Sequence, residues 1–315
     1  MFTIFRKELS DHFTSTRFLI TFALILMVAV VTTYMVGANL REALEGLAKP
    51  SHVFLLLFTT SGQFFSLVQF IAFFGPLIGI ILGFDAINRE RHGNTLSKLV
   101  SQPIYRDAVI NGKFLAGVTT VTLMLTSLLL LITGLGLITV GVVPGWDEVG
   151  RLAVYLAVSI AYVSFWLGLA ILFSILFRSL ATSALAAVAL WIFFSFFMSF
   201  GADLLANAFA PVDNPRDPEQ LVANQRVADS ASLASPVVLY SQATSTILDP
   251  FRRTRKSLVM VGPMEKLSME RFQNPLPLGQ SLLVVVPYLT LMAGLTVICF
   301  GLSYLTFLRQ EIRPS

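Results

Sequence analysis

Six long apolar runs constrain the fold of this chain more than any other feature. Each run is long enough to cross about 30 Å of hydrocarbon as a helix. Helices are expected because backbone amides in lipid must bond within their own segment. The sequence therefore predicts an all-α integral membrane protein with six transmembrane helices. The runs are Phe18–Val36, Phe64–Phe84, Phe114–Val140, Leu152–Phe177, Leu180–Gly201 and Ser281–Leu308.

The composition also indicates a membrane location. Of the 315 residues, 55% are apolar and 13% are charged, whereas a soluble domain carries about 25% charged residues. The net charge is +4, and basic residues on the cytoplasmic side of a membrane protein account for it, so nucleic acid is not expected as a partner. The single cysteine, Cys299, excludes an intramolecular disulfide.

The distribution of Lys and Arg predicts the orientation. With the N-terminus inside, the cytoplasmic segments hold eleven of these residues and the two short external loops hold three. Cytoplasmic loops carry such an excess, so we expect a multi-pass protein of the inner (cytoplasmic) membrane with both termini in the cytoplasm. The last external segment, residues 202–279, is too long for the rule to apply.

The N-terminal segment, residues 1–16, has the pattern of an amphipathic helix. Phe2, Phe5, Leu9 and Phe13 recur at helical spacing, and charged residues occupy other positions. We expect this leader to lie in the cytoplasmic headgroup plane, in contact with membrane lipid; a disordered leader is the alternative. The first apolar run is longer than the h-region of a signal peptide, about 7–15 residues, so we interpret it as an uncleaved span.

Three parts follow along the chain. Residues 1–201 form a transmembrane part with the leader, five spans and a polar loop at 85–113. Residues 202–279 are predicted to form a small helical external cap. Residues 280–315 hold the sixth span and a cytoplasmic tail.

The predicted cap contains three candidate helices. Pro218 and Pro236 each follow a capping residue and occupy the first helical position. The second helix should run to Leu248, and a third candidate covers Pro263–Phe272. The basic cluster Arg252–Lys256 could bind anionic lipid headgroups or be solvated, and it would face the cytoplasm if the topology differs.

Span two carries a ladder of small residues, Gly75, Gly79 and Gly83. Glycines on one helix face allow backbones to approach closely, which favours helix association in lipid. The ladder therefore predicts a helix-packing face, either at a moving contact or in ordinary packing within the bundle. Pro76 lies inside the ladder and should kink the helix or free a carbonyl.

The sequence holds no recognisable catalytic site. It contains no phosphate-binding loop, zinc-protease motif, serine-hydrolase motif or paired CxxC, and its three histidines are scattered. We therefore expect no catalytic residue, no metal site and no cofactor bound by this chain. The middles of the six runs contain no Asp, Glu, Lys, Arg or His. Self-powered carriers usually need such residues, so any energy must come from a partner.

The polar loop at 85–113 is more patterned than a connector requires. It carries five basic residues between two spans, which favours a cytoplasmic position. Gly93 can end the helix that extends span two, and Thr95 can cap a short new one. Leu96, Leu99 and Val100 then form a small apolar face, which Pro103 ends. This pattern is typical of a docking surface, and a hairpin lying on the membrane is the alternative.

These loop residues resemble the signature of the ABC transporter type-2 permeases. The six-span layout, the leader and the long last external segment agree with the resemblance, and residues 235–250 resemble the subgroup of the nitrous-oxide-reductase maturation and gliding-motility permeases. The residues that carry the signature are Asp85, Glu90, Arg91, Gly93, Thr95, Leu96, Leu99, Ser101, Pro103, Ile104, Arg106, Gly112 and Lys113, with Val100 and Gln102 as local variants.

The resemblance implies a non-enzymatic permease subunit. A separate ATP-binding cassette subunit, which uses ATP and Mg, would dock on the 85–113 loop and drive the chain, and the resemblance implies an exporter. A second permease copy would complete the transporter. Alternatives are a mechanotransmission subunit that energises a periplasmic or extracellular accessory protein, a membrane scaffold, and an intramembrane enzyme acting on lipids.

Overall fold

The computed structural model describes residues 1–44, 52–60, 66–93, 106–212, 214, 217–250 and 276–309. Within these residues all regular structure is helical, and six helices are long and apolar enough to cross a membrane. The prediction of an all-α membrane protein with six spans is confirmed. The helices are α1 (Phe2–Thr14), α2 (Thr16–Leu44), α3 (Val53–Thr59), α4 (Leu67–Gly83), α5 (Asn88–His92), α6 (Arg106–Val140), α7 (Trp146–Leu176), α8 (Leu180–Phe209), α9 (Pro218–Ser232), α10 (Pro236–Leu248) and α11 (Leu278–Arg309).

Several helices extend beyond the apolar runs that predicted them. Helix α6 begins at Arg106, eight residues before the run that starts at Phe114, and α8 continues past Gly201 to Phe209. Helical hydrogen bonding continues where the chain leaves hydrocarbon, so an apolar run marks the membrane segment and not the helix end. The predicted boundary between the transmembrane part and the external cap, at residue 201, falls inside α8. It stays a prediction of where the chain leaves the membrane.

The short helix α3 was not predicted from the sequence. It spans Val53–Thr59, and five of its seven residues are buried. An apolar stretch of this length cannot cross a membrane, so the search for spanning runs passed over it. The helix packs against α4, α10 and α2.

Helix α7, the fourth span, lies at the centre of the bundle. It is buried over most of its length and packs against α4, α6, α8, α10 and α11. Trp166 and Tyr162 on this helix are among the largest fully buried side chains. A helix that is apolar on all sides belongs in the interior, and the other elements are therefore arranged around α7.

The glycine ladder of α4 lies against α7. A Cβ added at Gly79 would lie 2.7 Å from the carbonyl oxygen of Val163, and one added at Gly83 would lie 2.8 Å from that of Leu167. At Gly75 the nearest atom would be a methyl group of Val163 at 3.2 Å. The two backbones approach so closely that alanine at Gly79 or Gly83 would require them to separate.

The proline in span two has a partner on α7. Pro76 has no N–H, so the carbonyl of Ala72 lacks its usual helical donor. The hydroxyl of Tyr162 donates to that carbonyl at 2.7 Å. The ring of Tyr162 also stacks on Tyr240 of α10, with centroids 4.2 Å apart. Helix α10 is thereby joined through α7 to the irregular turn of α4.

Helices α9 and α10 begin at Pro218 and Pro236, where the sequence placed them. Helix α9 packs along the last part of α8 and leaves most of its residues exposed. The predicted third helix, Pro263–Phe272, and the basic cluster Arg252–Lys256 lie outside the described residues.

Helix α10 does not lie on top of the spans. It packs against α11, α7 and α4, and eleven of its thirteen residues are buried. The hydroxyl of Ser235, just before the helix, donates to the carbonyl of Phe194 at 3.0 Å, close to the middle of α8. Phe194 lies in the π-helical turn Phe193–Phe197, where a regular α-helical bond is missing. Helix α10 is therefore part of the bundle, and an external cap stays a prediction for the remainder of the segment.

Candidate functional site: the stem of the polar loop

The residues that follow span two form a separate short helix. Helix α4 ends at Gly83, the chain turns, and α5 covers Asn88–His92 with Gly93 as its C-cap. We call α5 and the turn before it the stem, because it leads directly into residues 94–105. The sequence predicts that Asp85–Arg91 extend span two; the structure places a turn at 84–87 before α5, and Asn88 and Glu90 are buried among neighbouring helices.

The predicted docking residues lie mostly beyond the stem. Arg106 begins α6, but its side chain is outside the described part of the chain. Asp85, Glu90, Arg91 and Gly93 are the members of the signature that the structure describes as part of the stem. The members that fall outside the described residues are Thr95, Leu96, Leu99, Val100, Ser101, Gln102, Pro103 and Ile104.

One serine of α7 accepts two hydrogen bonds from the stem. The break between α4 and α5 leaves the amides of Ile87 and Asn88 without helical acceptors. Both donate to the side-chain oxygen of Ser174, at 2.9 and 3.1 Å. Ser174 is fully buried, where unpaired amides would be costly, so this hydroxyl fixes the start of α5 against α7.

Further contacts hold the stem against the turn between α7 and α8. The guanidinium of Arg91 donates to the carbonyl of Ile175 at 3.3 Å, and the hydroxyl of Ser183 donates to that of Phe84 at 2.9 Å. The Asn88 amide donates to the Ser179 carbonyl at 3.5 Å. The stem is therefore attached to spans four and five.

On its other side the stem joins a cluster of four charged residues, Lys7, Glu8, Glu90 and Lys113. The Lys7 ammonium lies 2.9 Å from the Glu90 carboxylate and 3.2 Å from that of Glu8. The Lys113 ammonium lies 2.7 Å from Glu8 and 3.5 Å from Glu90. These residues come from α1, α5 and α6, so the charge cluster connects the leader, the stem and span three. Only Lys7 is half exposed.

The surroundings of the charge cluster favour the ionised forms. Burial opposes charge on Lys7, but its hydrogen bonds and attraction to Glu90 and Glu8 outweigh this and raise its pKa. Burial also opposes ionisation of Glu8, but the charge and hydrogen bond of Lys113, followed by those of Lys7, lower its pKa. Lys7 and Glu8 are therefore held in their ionised forms at neutral pH.

A second ion pair joins the stem to span one. The guanidinium of Arg17 lies 3.1 Å from the carboxylate of Asp85 and 5.6 Å from the ring centroid of Phe84, above its face. The cleft between α1 and the stem has a volume of about 690 Å³, with charged residues of both signs and apolar residues from α4 and α7 on its walls. This end of the bundle, with α1, the stem and the last turn of α7, is called the stem end below.

The leader packs on span three through a face that the sequence did not predict. Ile4 and Glu8 are its buried residues, and a Cβ at Gly112 of α6 would lie 3.0 Å from the Ile4 side chain. Phe2 and Phe13, from the predicted apolar face, remain exposed. The charged Glu8 is thus in the contact, because Lys113 neutralises it, while the aromatic face stays available for lipid.

The opposite end of α7 holds a second polar cluster, which sequence reasoning missed. Arg151 is fully buried, and its guanidinium donates to the Asp147 carboxylate at 2.6 Å, to the Ile247 carbonyl at 2.9 Å and to the Ser281 hydroxyl at 3.2 Å. It also donates to the carbonyl of Leu276. Arg151 therefore joins the first turns of α7 to the end of α10 and the start of α11. We call this region the far end.

Two acidic residues complete the far end. Glu148 is buried, and its carboxylate accepts from the amides of Phe54 and Gly145 at 2.9 and 2.8 Å. Asp147 also lies 3.0 Å from the imidazole of His52. No spacing in the sequence signals the pair of His52 and Asp147, because the two residues are 95 positions apart. The i, i+4 spacing of Asp147 and Arg151 was the available signal.

The two polar clusters are arranged to hold helices together. Within the described ranges, no three His, Cys, Asp or Glu side chains come together in the manner of a metal site. The polar groups at both ends are engaged with backbone groups or opposite charges from other helices. Each cluster joins elements that are distant in sequence.

The fold and these two clusters define the class: a multi-pass, all-α membrane protein with an attached stem next to a polar loop. The family model described as "ABC-2 family transporter protein" matches residues 2–312. The chain therefore belongs to the ABC-2 transporter family. The probable ABC transporter permease protein NosY of Stutzerimonas stutzeri is 32% identical over 114 residues, which cover 36% of this chain and 37% of that relative. The match thus spans about a third of the relative's length.

Proposed function

We propose that the chain is the permease subunit of an ABC transporter and that a separate ATP-binding subunit docks on the 85–113 loop. The observation that carries the proposal is the attachment of the stem on three sides. The charge cluster joins it to α1 and α6, Ser174 joins it to α7, and Ser183 joins it to α8. A force applied to the loop would reach several spans at once.

The positions of the charged residues in the spans support a partner that supplies the energy. The described spans carry Asp, Glu, Lys and Arg only towards their ends, and none carries histidine in its middle. Transport coupled to protons or ions usually uses such intramembrane groups. ATP and Mg would be bound by the partner, and the chain itself would convert the partner's movement into a movement of helices.

The finer features of the proposal follow the family. The stem end faces the cytoplasm, a second permease copy completes the membrane part, and the aromatic face of α1 contacts lipid. The direction is export. The second candidate is a mechanotransmission subunit that energises an accessory protein outside the membrane. Helix α7 runs from the stem to the far end, and this direct connection favours the second candidate.

Co-purification and one substitution test the docking. The tagged chain is purified from its own membranes in mild detergent, and ATPase activity is measured in the eluate. Leu99→Asp places a charge on the apolar face of the loop, where an unpaired charge would oppose docking. We expect at least a tenfold loss of co-purified ATPase. Gln102→Asp introduces the same charge at a polar position and is the control.

The orientation is tested separately by thiol labelling. In a Cys299→Ser background, single cysteines are placed at Thr95 and at Trp146, whose side chain is 92% exposed. An impermeant maleimide applied to intact cells should label position 146 and not position 95. Labelling of position 95 from outside would overturn the docking proposal.

A further inference from the structure

Helix α7 has a buried polar contact with other elements at each end, and we call each contact a joint. Ser174 lies in its last turn and Arg151 in its second turn, and both are fully buried. They are 23 residues apart, about 35 Å along a helix. The helix between them contains no proline and is packed on most sides, and close-packed interiors transmit strain.

The joint at the stem end is centred on one side-chain oxygen. Ser174 accepts from the amides of Ile87 and Asn88, so a shift of the stem must either move α7 or break two buried hydrogen bonds. Arg91 donates to the Ile175 carbonyl in the same last turn of α7, Asn88 donates to the Ser179 carbonyl, and Ser183 of α8 donates to the Phe84 carbonyl. Ser174 is therefore the residue that fixes the start of α5 to α7, beside the Arg91 contact and the glycine contacts of α4.

The joint at the far end consists of one buried guanidinium. Arg151 donates to the Ile247 carbonyl at the end of α10, to the Ser281 hydroxyl on α11 and to the Leu276 carbonyl. The Leu276 amide donates to the Pro250 carbonyl at 3.0 Å. Arg151 thus joins α7 to the place where the chain leaves α10 and returns before α11.

We propose that α7 is a strut that carries movement of the stem to the far end, with Ser174 and Arg151 as positioning residues at its two joints. This rests on the proposed function, because the partner's nucleotide cycle supplies the movement. The ends of α10 and α11 would shift with nucleotide state although they lie on the other side of the bundle. In this proposal span four has the main role in transmitting the movement. Spans two and three, which flank the loop, have a smaller role.

A single reporter at the far end tests the strut. In a Cys299→Ser background, Gln280→Cys places a thiol on an exposed position in the first turn of α11, next to Ser281. An environment-sensitive fluorophore is attached there, and the purified complex with its ATPase is reconstituted in nanodiscs. The fluorescence change on adding a non-hydrolysable ATP analogue is measured together with the ATPase rate.

The decisive variant is Ser174→Ala. It should reduce the amplitude of the fluorescence change at least fivefold, while the ATPase remains bound and active. Ser174→Thr keeps the acceptor oxygen and should restore the amplitude. The matched control is Ser164→Ala, because Ser164 is a buried serine of the same helix whose hydroxyl has no hydrogen-bond partner among the described residues. This control should respond like the parent.

The outcomes separate the strut from the proposed function. If no ATPase co-purifies with the parent, the proposed function fails. If the ATPase is present but the reporter does not respond, or if Ser174→Ala responds fully, the strut is wrong and the proposed function stands. Should Ser174→Ala fail to fold, Ser174→Cys, whose sulfur is a weak acceptor, must give a reduced amplitude; a full amplitude would overturn the strut.

Discussion

The two ends of α7 use charge in different ways. At the stem end, four charged side chains pair with one another across α1, α5 and α6. Lys7 contacts both Glu8 and Glu90, and Lys113 does the same, so partners can exchange. At the far end, Arg151 pairs with Asp147 on its own helix, and its contacts to other elements are two backbone carbonyls and a hydroxyl. Backbone carbonyls are fixed in position by the main chain, so the contacts between elements offer no exchange of partners. The stem end is thus suited to adjustment and the far end to holding a fixed geometry.

The largest expected effect is at Arg151. Arg151→Met leaves the carbonyls of Ile247 and Leu276 without the guanidinium donor and leaves Asp147 with His52 alone, and acceptors left unpaired in this way should cost about 4 kcal/mol together. The free energy of unfolding, measured by SDS titration in mixed micelles, should fall by this amount. Arg226→Met removes an exposed arginine on α9 and should change it by less than about 0.5 kcal/mol. Equal effects of the two substitutions would contradict the buried role of Arg151.

The next effect separates the two lysines of the charge cluster. Lys113→Met leaves the carboxylates of Glu8 and Glu90 with only the half-exposed Lys7, and we expect a loss of about 3 kcal/mol, as for hydrogen bonds between charged groups. Lys7→Met should lose about 0.5 kcal/mol, because an exposed pair is screened by solvent. Tryptic cleavage at Arg6 should accelerate more in Lys113→Met. If Lys7→Met proved the more damaging, the assignment of Lys113 as the central cation would be wrong.

A third prediction concerns the helix contact between the two ends. Gly79→Ala places a methyl group 2.7 Å from the Val163 carbonyl and 2.8 Å from the Leu167 amide. Both neighbours are backbone atoms of α7, so the helices must separate, at about 2 kcal/mol. Gly294→Ala on α11 meets nothing within 4 Å and should be neutral or slightly stabilising. A neutral Gly79→Ala would show that α4 and α7 slide freely.

The smallest effect is the pH dependence of leader docking. The pKa of Glu8 is lowered from 4.5, so its contribution is complete above 4.5 and is lost as the pH falls through the lowered pKa. The pKa of Lys7 is raised from 10.5, so its contribution is complete below 10.5 and is lost as the pH rises through the raised pKa. Burial lowers the pKa of His12, also on α1, from 6.5, so its contribution is complete above 6.5 and is lost as the pH falls through the lowered pKa. Docking should therefore be constant between 6.5 and 10.5.

A fluorophore on Ser10→Cys, an exposed position of α1, measures this dependence in a Cys299→Ser background. The signal should change on acidification below 4.5, and Glu8→Gln should remove most of that change. An acid transition below 4.5 that Glu8→Gln leaves unchanged would contradict the assignment of Glu8 as the acid-sensitive group.

Local patterns in the sequence determined the helical elements. The six apolar runs predicted the spans because their length must match the membrane. Pro218 and Pro236 marked helix starts because their ring fixes the backbone at the first helical position. The glycine spacing in α4 marked the face that contacts α7. Each of these signals depends on residues close together in the chain.

Only the tertiary structure decided which polar groups meet. Lys113 and Glu8 are 105 positions apart, and Arg151 and Ser281 are 130 apart. Their pairing depends on how whole helices pack, which no local period encodes. The burial of α10 was likewise hidden, because its hydroxyl-rich sequence is also compatible with an exposed helix. The sequence therefore determined the six-span frame, and the packing around α7 decided how its two ends are connected.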